Sequence, residues 1–188
     1  MSDPDRAATD ALIAVDAQDR ALRPVAKSAC HAGEGILHRA FSVFLFDPQG
    51  RVLLQQRSAA KPLWPGYWAN SCCSHPRWGE RLHDAAARRV REELGASPGG
   101  ELAWRFSFVY HARYGEAGSE SELCHVFTGE VDPRRLRPDP DEVAALRWLW
   151  PQELGAALRD RQAPFTPWLR LEWPRLAAMQ AAAFPARA

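Results

Sequence analysis

The sequence has no long hydrophobic run and no excess of charge of one sign. Nowhere do about 18 apolar residues follow one another, so we expect no transmembrane helix and no membrane partner. The N-terminal region lacks the long apolar core of a secretory signal, which predicts a cytoplasmic protein. Because 24 Lys and Arg are balanced by 23 Asp and Glu, there is no basic field to hold a polyanion, and nucleic acid is not an expected partner.

Cysteine is scarce and irregularly spaced. The four residues Cys30, Cys72, Cys73 and Cys124 lack the paired spacing of a structural zinc site, and we expect them to be reduced thiols. Adjacent side chains of an extended chain point in opposite directions, so Cys72 and Cys73 are not expected to form a disulfide. Only one of these two thiols can therefore face a given site.

Apolar residues recur mostly with the period of strands, and we predict one domain over 1–188 with an N-terminal extension at 1–26. Residues 61–76, interrupted by prolines, are predicted to be a loop with one short strand. The class predicted is α/β, an α+β sandwich in which a mixed sheet lies between helical layers. Strands are expected at 11–15, 22–25, 40–46, 51–57, 101–110, 120–131 and 145–150, and helices at 84–94 and from Pro151 and Pro167 onward.

The helix at 84–94 has the strongest pattern. Ala86, Val90 and Leu94 recur at four-residue steps and predict one apolar face. Asp84 is expected to cap the start of this helix, and Gly95 is expected to end it.

Two pairs of reactive side chains are separated by one residue. Glu120 and Glu122 fall in an expected strand, so both carboxylates share a face and could share a metal ion; a solvated outer face is the alternative. Cys73 and His75 fall in an extended loop segment, which brings a thiol and an imidazole to one side. A small buried thiol and a structural histidine are the alternative there.

Two further histidines, His31 and His38, flank the Gly-containing segment AGEGIL, which a loop can close around one ion. With His75, Glu120 and Glu122 they offer three imidazoles and two carboxylates. Such a set suits a borderline transition metal, here manganese or zinc. Spacing alone does not bring the five side chains together, and purely structural histidines are the alternative.

A longer pattern spans residues 74–96, where Glu80, Arg88, Glu92, Glu93 and Gly95 stand at fixed spacings. This pattern resembles the Nudix box, a loop, helix and loop whose glutamates hold divalent cations against a diphosphate. The alternative is a surface helix with four-step ion pairs, each worth ~0.2 to 0.5 kcal/mol, which explains the helix but not its flanks.

Two positions depart from the box. Ser74 stands where the box begins with Gly, and Arg89 stands where the hydrolases of this family have a metal-binding Glu. An arginine at that position should weaken the activation of water, so the departure argues against hydrolysis.

Three flanking segments indicate which branch of the Nudix family the sequence resembles. They are CHAGEGILHRAFS, WPGYWANSCCSHP and Glu120-Ser121-Glu122. Their order and approximate spacing, from about Lys27 to Trp168, resemble the type 1 isopentenyl diphosphate isomerases. The resemblance implies a Nudix-type α/β/α fold with N-terminal and C-terminal extensions. It also implies an enzyme of isoprenoid biosynthesis that interconverts isopentenyl diphosphate and dimethylallyl diphosphate, and we expect a monomer or a weak homodimer.

The same resemblance implies the roles of individual side chains. It makes Cys73 and Glu122 the two proton-carrying groups, with Tyr110 and Trp168 as aromatic residues of the site. Glu93 and the backbone carbonyl of Cys73 would help to bind Mg²⁺ carried by the diphosphate. The remaining implied residues are the diphosphate-binding Lys27, Arg57 and Lys61 and the metal ligands His31, His38, His75, Glu120 and Glu122.

Double-bond migration through a tertiary carbocation requires one group that gives a proton and another that takes one. Either of Cys73 and Glu122 can be the donor, because a metal ion beside Glu122 favours its ionised form whereas a donor must be protonated. Tyr110 is expected to hydrogen-bond to Glu122, and the ring of Trp168 could stabilise positive charge. A Nudix hydrolase of nucleoside diphosphate derivatives and a non-catalytic metal-binding or ligand-binding module are the competing interpretations.

Overall fold

In a computed structural model, which describes residues 11–183, nine strands form one sheet accompanied by four α-helices. The strands are β1 (Leu12–Val15), β2 (Ala21–Val25), β3 (His38–Phe46), β4 (Val52–Arg57), β5 (Trp68–Ala69), β6 (Cys72–Ser74), β7 (Ala103–Arg113), β8 (Ser119–Glu130) and β9 (Val143–Leu149). The helices are α1 (Lys27–His31), α2 (Leu82–Leu94), α3 (Pro151–Ala157) and α4 (Pro167–Ala183), with a 3-10 helix at Pro133–Arg135.

Strand β3 is the centre of the sheet. It runs parallel to β8 over its whole length, in a register that pairs His38 with Glu122 and Phe46 with Glu130. It is antiparallel to β1, β4 and β6, and pairs with β4 only at Phe46 and Val52. Beyond that point the hydroxyl of Ser71 joins the two diverging strands, accepting from the Leu45 amide and donating to the Leu53 carbonyl, each at 2.7 Å.

Two apolar layers cover the faces of this sheet. On one face Ala86, Val90 and Leu94 of α2 pack in a cluster with Phe41, Val43 and Leu45 of β3. On the other face Leu169, Trp173 and Leu176 of α4 pack in a cluster with Phe44 of β3. The alternation along β3 is that of a strand buried on both sides, as expected for the parallel part of a sheet. The predicted mixed sheet between helical layers is thereby confirmed.

Most of the predicted elements are present, with three differences. Helix α2 begins at Leu82, so Asp84 lies in its first turn and is not its cap; Arg81 occupies the N-cap position without a capping side-chain bond. The loop at 61–76 contains two short strands, β5 and β6, where one was predicted. Helix α1, which has only five residues and no capping side chain, was not predicted.

Gly95 ends α2 in the predicted way. Its φ of 64° is left-handed, and its N–H donates to the carbonyl of Arg91. A Cβ atom there would lie 2.3 Å from the carbonyl oxygen of Arg137, so the end of the helix can approach this loop only with glycine. No helix in the described range is long and apolar enough to cross a membrane.

One carboxyl group is buried in the interface between α4 and the sheet. Glu172 is fully buried, and its Oε1 lies 3.6 Å from the Sγ of Cys124. Burial raises the pKa of Glu172 to about 8, and hydrogen bonds from Ser42 and Cys124 offset only part of this rise. The folded protein therefore keeps this carboxyl protonated at neutral pH, whereas the unfolded chain ionises it.

We predict that this mismatch makes stability depend on pH. Between the ordinary pKa of 4.5 and the folded value of about 8, the unfolded state loses the Glu172 proton first, so the free energy of unfolding falls as pH rises. Glu172→Gln should match the parent below pH 4.5 and exceed its stability above pH 8, by on the order of 3 to 5 kcal/mol, because one pKa unit is about 1.4 kcal/mol.

Urea titrations from pH 4 to 9 would measure this difference. The exposed Glu101→Gln serves as the control and should keep the pH profile of the parent. A constant difference between Glu172→Gln and the parent at every pH would contradict the prediction.

Candidate functional site

Three histidines and two glutamates meet at one end of the β3–β8 ladder. His31 ends α1, His38 begins β3 and His75 follows β6, while Glu120 and Glu122 lie on one face of β8. The parallel register sets His38 beside Glu122. Both carboxylates are buried, so the alternative of a solvated outer face is wrong.

The ligand atoms of His31, His38, His75 and Glu120 lie within 4.8 Å of one another. The imidazole centroids are 4.8 to 5.2 Å apart. Glu122 joins this group, because its Oε1 lies 2.8 Å from Nε2 of His75 and 3.8 Å from Nε2 of His38. The five side chains that sequence spacing could not bring together are therefore adjacent.

The protonation of this group suits a metal ion. Burial lowers the pKa of His38 to about 4, and burial together with His38 lowers the pKa of His75 well below its ordinary value, so both imidazoles are neutral near pH 7. Nδ1 of His38 is 2.7 Å from the carbonyl of Ile36 and donates to it, which leaves the lone pair of Nε2 free. Among the ligand atoms of this group, His38 Nε2 is buried without a hydrogen-bond partner. An orphaned acceptor atom of this kind fits a divalent cation.

The position of His31 depends on a glycine in the turn between β7 and β8. Gly118 has a φ of 140°, and a Cβ atom there would lie 2.2 Å from the carbonyl oxygen of His31. The end of α1 can thus reach the carboxylates only because residue 118 has no side chain. Nδ1 of His31 is 3.0 Å from Oε2 of Glu120, and although burial raises the pKa of Glu120, His31 outweighs it and the net shift is downward.

Cys73 lies in the same pocket as this group, and Cys72 does not. Cys72 packs in the core beneath α2, whereas Cys73 faces the pocket, as the alternation of an extended chain predicts. Burial raises the pKa of Cys73 to about 12, so the group is a thiol at neutral pH. Nη1 of Arg57 lies 3.8 Å from Sγ and opposes this rise.

Glu122 and Tyr110 form the predicted hydrogen bond. The two residues are direct partners across the antiparallel β7–β8 ladder, and the Tyr110 hydroxyl donates to Oε2 of Glu122 at 2.6 Å. Burial, and then the neighbouring Glu120 carboxylate, raises the pKa of Glu122 well above its ordinary value. Burial and Glu122 likewise raise the pKa of Tyr110. Tyr110 is therefore protonated near neutral pH, and Glu122 holds its proton more tightly than an exposed carboxyl group does.

An aromatic wall closes the pocket. Trp168 is buried, and its ring lies 5.3 Å from Trp64 edge-on and 6.4 Å from Tyr110. Its indole N–H donates to Oδ1 of Asn70 at 3.1 Å, which fixes the ring. The guanidinium of Arg57 lies 5.3 Å from the same ring, within range of a cation–π contact.

Four cations line the pocket: Lys27, Arg57, Lys61 and Arg89. Arg57 also holds the loop that follows β4, since its Nε and Nη2 donate to the carbonyls of Leu63 and Trp64. Glu93 lies behind the lining, where its carboxylate accepts from Arg89 at 2.7 Å and from Gln55 at 3.1 Å.

Sequence reasoning gave no site role to Arg89, which lines this pocket, or to Asn70 and Trp64, which contact Trp168. Asn70 and Trp64 both belong to the WPGYWANSCCSHP segment, whose unusual composition was the available signal. Arg89 was noted only as a departure from the Nudix box, yet it lines the pocket beside Lys61. The expected ion pairs of Arg88 with Glu92 and of Arg89 with Glu93 are present, at 3.0 and 2.7 Å.

Comparisons with known proteins agree with this geometry. Residues 36–169 match the NUDIX domain model. A protein of Nocardia farcinica named isopentenyl-diphosphate Delta-isomerase is 47% identical over 156 residues, covering 82% of this chain and 87% of the relative. One of the same name from Serratia proteamaculans is 40% identical over 178 residues, covering 89% and 97%.

Solved structures show the same fold. DR0079 from Deinococcus radiodurans superposes with a TM-score of 0.67 at 24% identity, covering 88% of this chain and 98% of that one. The MutT protein from Methanosarcina mazei superposes with a TM-score of 0.60 at 18% identity, covering 77% and 95%. The NUDIX match and the relatives, taken together, establish that the chain belongs to the Nudix family and, within it, to the isopentenyl-diphosphate Delta-isomerases.

Proposed function

We propose that this chain interconverts isopentenyl diphosphate and dimethylallyl diphosphate, with Cys73 and Glu122 as its two proton-carrying groups. The observation that carries the proposal is that a thiol and a carboxyl group, each with a pKa raised by burial, line one pocket beside four cations. The names of the relatives from Nocardia farcinica and Serratia proteamaculans support the same reaction.

The reaction adds a proton to the terminal carbon of an alkene and passes through a tertiary carbocation. It then removes a proton from the methylene carbon on the other side of the cationic carbon, which forms the internal double bond. Glu122 on β8 and Cys73 on β6 serve these two steps. Tyr110 shares a hydrogen bond of 2.6 Å with Glu122 and helps that carboxyl to give or regain its proton. Arg57, beside the Cys73 thiol, lowers the cost of ionising it.

Trp168 and Tyr110 supply the aromatic faces that the positive intermediate requires. A desolvated cation–π contact is worth about 2 kcal/mol. The low exposure of both rings keeps water away from the carbocation, which water would otherwise capture. Asn70 keeps the indole of Trp168 in its orientation.

Lys27, Arg57 and Lys61 hold the diphosphate, with Arg89 as a fourth cation. His31, His38, His75, Glu120 and Glu122 would hold manganese or zinc, and Glu93 with the carbonyl of Cys73 would hold the Mg²⁺ of the diphosphate. Bound divalent ions neutralise phosphate charge and favour the ionised form of a neighbouring carboxyl group. The fit rests on the neutral imidazoles of His38 and His75 and on the orphaned Nε2 of His38.

The further parts of this proposal are a single domain over 1–188, a cytoplasmic location, a role in isoprenoid biosynthesis, and a monomer or weak homodimer. Sedimentation of the purified chain tests the last of these. Neither nucleic acid nor a membrane is proposed as a partner, because the charge balance offers no field for either.

Turnover in deuterated water tests the chemistry directly. Isopentenyl diphosphate with Mg²⁺ should give the allylic isomer with deuterium in its new methyl group and no released phosphate. Cys73→Ala and Glu122→Gln should each lower kcat by about 10²- to 10⁴-fold, the usual contribution of a general acid or base.

Two variants serve as controls: Cys72→Ala, which removes the adjacent thiol on the opposite face, and Glu130→Gln at the exposed end of β8. Both should keep the kcat of the parent. Phosphate or a nucleoside monophosphate released from nucleoside diphosphate derivatives would instead indicate the hydrolase. Absence of turnover, with a diphosphate affinity that Cys73→Ala does not change, would indicate a binding module.

Substitution of Gly118 tests whether the approach of His31 forms the metal site. Gly118→Ala should push the carbonyl of His31 away and lower the affinity for Zn²⁺ or Mn²⁺ about 10- to 100-fold, the usual effect of disturbing a ligand's support. Gly115→Ala lies in the same turn at a φ of 57°, where a Cβ atom meets nothing within 4 Å. Gly115→Ala imposes backbone strain without a collision with His31, so this variant should keep the metal affinity of the parent.

Competition with a chelator dye at pH 7.5 would measure both affinities, with His38→Ala as the variant that should abolish binding. Thermal melts of the metal-free variants separate loss of fold from loss of the site. Equal affinities for Gly118→Ala and Gly115→Ala would show that the approach of His31 is not what forms the site.

A further inference from the structure

A carboxylate bridges two of the four cations that line the pocket. Glu142 lies directly before β9; its Oε1 accepts from Nη2 of Arg89 at 2.9 Å, and its Oε2 pairs with the ammonium of Lys61. Lys61 comes from the loop after β4 and Arg89 from α2, so one anion joins two separate elements.

Arg89 does not need this carboxylate for neutralisation. Glu92 and Glu93 already accept from the same guanidinium at 2.8 and 2.7 Å. Glu142 is therefore the third carboxylate that pairs with this arginine, and it also pairs with Lys61.

The backbone holds Glu142 in place. Its carbonyl accepts from the amide of Ser58 at 3.0 Å, and its amide donates to the carbonyl of Asp139 at 3.0 Å. These bonds tie residue 142 to the start of the loop that carries Lys61. The carboxylate cannot move away without losing contact with both cations.

The charges are also poorly screened. The side chains of Lys61, Glu142 and Arg89 are only 18%, 23% and 16% exposed, so dissolved salt weakens their fields far less than it would at the surface. Any anion bound by Lys61 and Arg89 therefore experiences the repulsion of Glu142.

We propose that Glu142 makes this pocket select diphosphate that carries a divalent cation over free diphosphate. Repulsion by a fixed carboxylate scales with the charge of the ligand, and a bound Mg²⁺ cancels two of the negative charges of diphosphate. Glu142 thus penalises the free anion more than the metal complex. The inference rests on the proposed function, because it takes Lys61 and Arg89 as part of the diphosphate site.

Calorimetric titration with inorganic diphosphate tests the inference without turnover. The parent, Glu142→Gln and Asp141→Asn are each titrated in the presence of EDTA and again with excess Mg²⁺. Glutamine keeps the shape of the side chain and one acceptor oxygen for the cations. Asp141→Asn makes the same change of charge one residue away on an exposed side chain, and is the matched control.

We expect Glu142→Gln to tighten the binding of free diphosphate by at least about tenfold and that of the Mg²⁺ complex by much less. The ratio of the two dissociation constants should fall, while Asp141→Asn leaves it at the parent value. If Glu142 formed only a structural ion pair, Glu142→Gln would not change this ratio of dissociation constants, even if loss of the ion pair lowered the melting temperature.

Three results would overturn the inference. Equal tightening in both conditions would show no selection by charge, and weaker binding in both would show that Glu142 only holds the cations in place. An equal change in Asp141→Asn would point to net charge alone. If the parent bound diphosphate in neither condition, the proposed diphosphate site itself would be wrong, which is a distinguishable failure.

Discussion

The parallel pairing of β3 with β8 is the contact on which the rest of the site depends. It joins residues that are more than eighty positions apart in the chain and fixes His38 opposite Glu122. The antiparallel ladder on the far side of β8 then fixes Tyr110 opposite the same glutamate. One carboxyl group is thus held between an imidazole and a phenol by two sets of backbone hydrogen bonds. Apolar layers pack against both faces of this ladder, at Phe127 on one side and at Val126 on the other.

Desolvation gives the pocket its chemical character. Buried carboxyl, thiol and phenol groups all retain protons that water would let them release more easily, and buried imidazoles lose theirs. Arg89 donates to the carboxylate of Glu93, and Arg57 donates to a carbonyl of the surrounding loop. The chain has nearly zero net charge. Within the pocket, however, two carboxylates lie together with the histidines, which suits a metal ion, and four cations lie close by, which suits an anion.

Sequence reasoning was most successful where the determining forces are local. The β3–β4 hairpin, the end of α2 at Gly95 and the shared face of Glu120 and Glu122 all follow from turn chemistry or a period of two. Helix α1 was missed because five residues without a cap carry too little local preference to be recognised. Asp84 was assigned as a cap because capping residues are also common in the first turn of a helix.

The missed parts of the site depend on long-range contacts. Asn70 meets Trp168 across 98 positions, and Arg89 meets Glu142 across 53. No periodicity encodes such pairs. The resemblance to a family implied metal-binding and proton-carrying roles for particular residues because whole motifs, and not single spacings, were compared. It did not indicate which further residues would support them.

The two adjacent thiols give the short strand β6 an unusual property. Asn70 fixes the alignment of this strand by donating to the carbonyls of Cys72 and Val43 while accepting from Trp168. If β6 slipped by one residue, Cys72 would replace Cys73 in the pocket and a thiol would still be present, but His75 would turn away from the other histidines. The reactivity of a thiol in the pocket would therefore not reveal a misaligned strand, whereas the separation of His75 from His31 and His38 would.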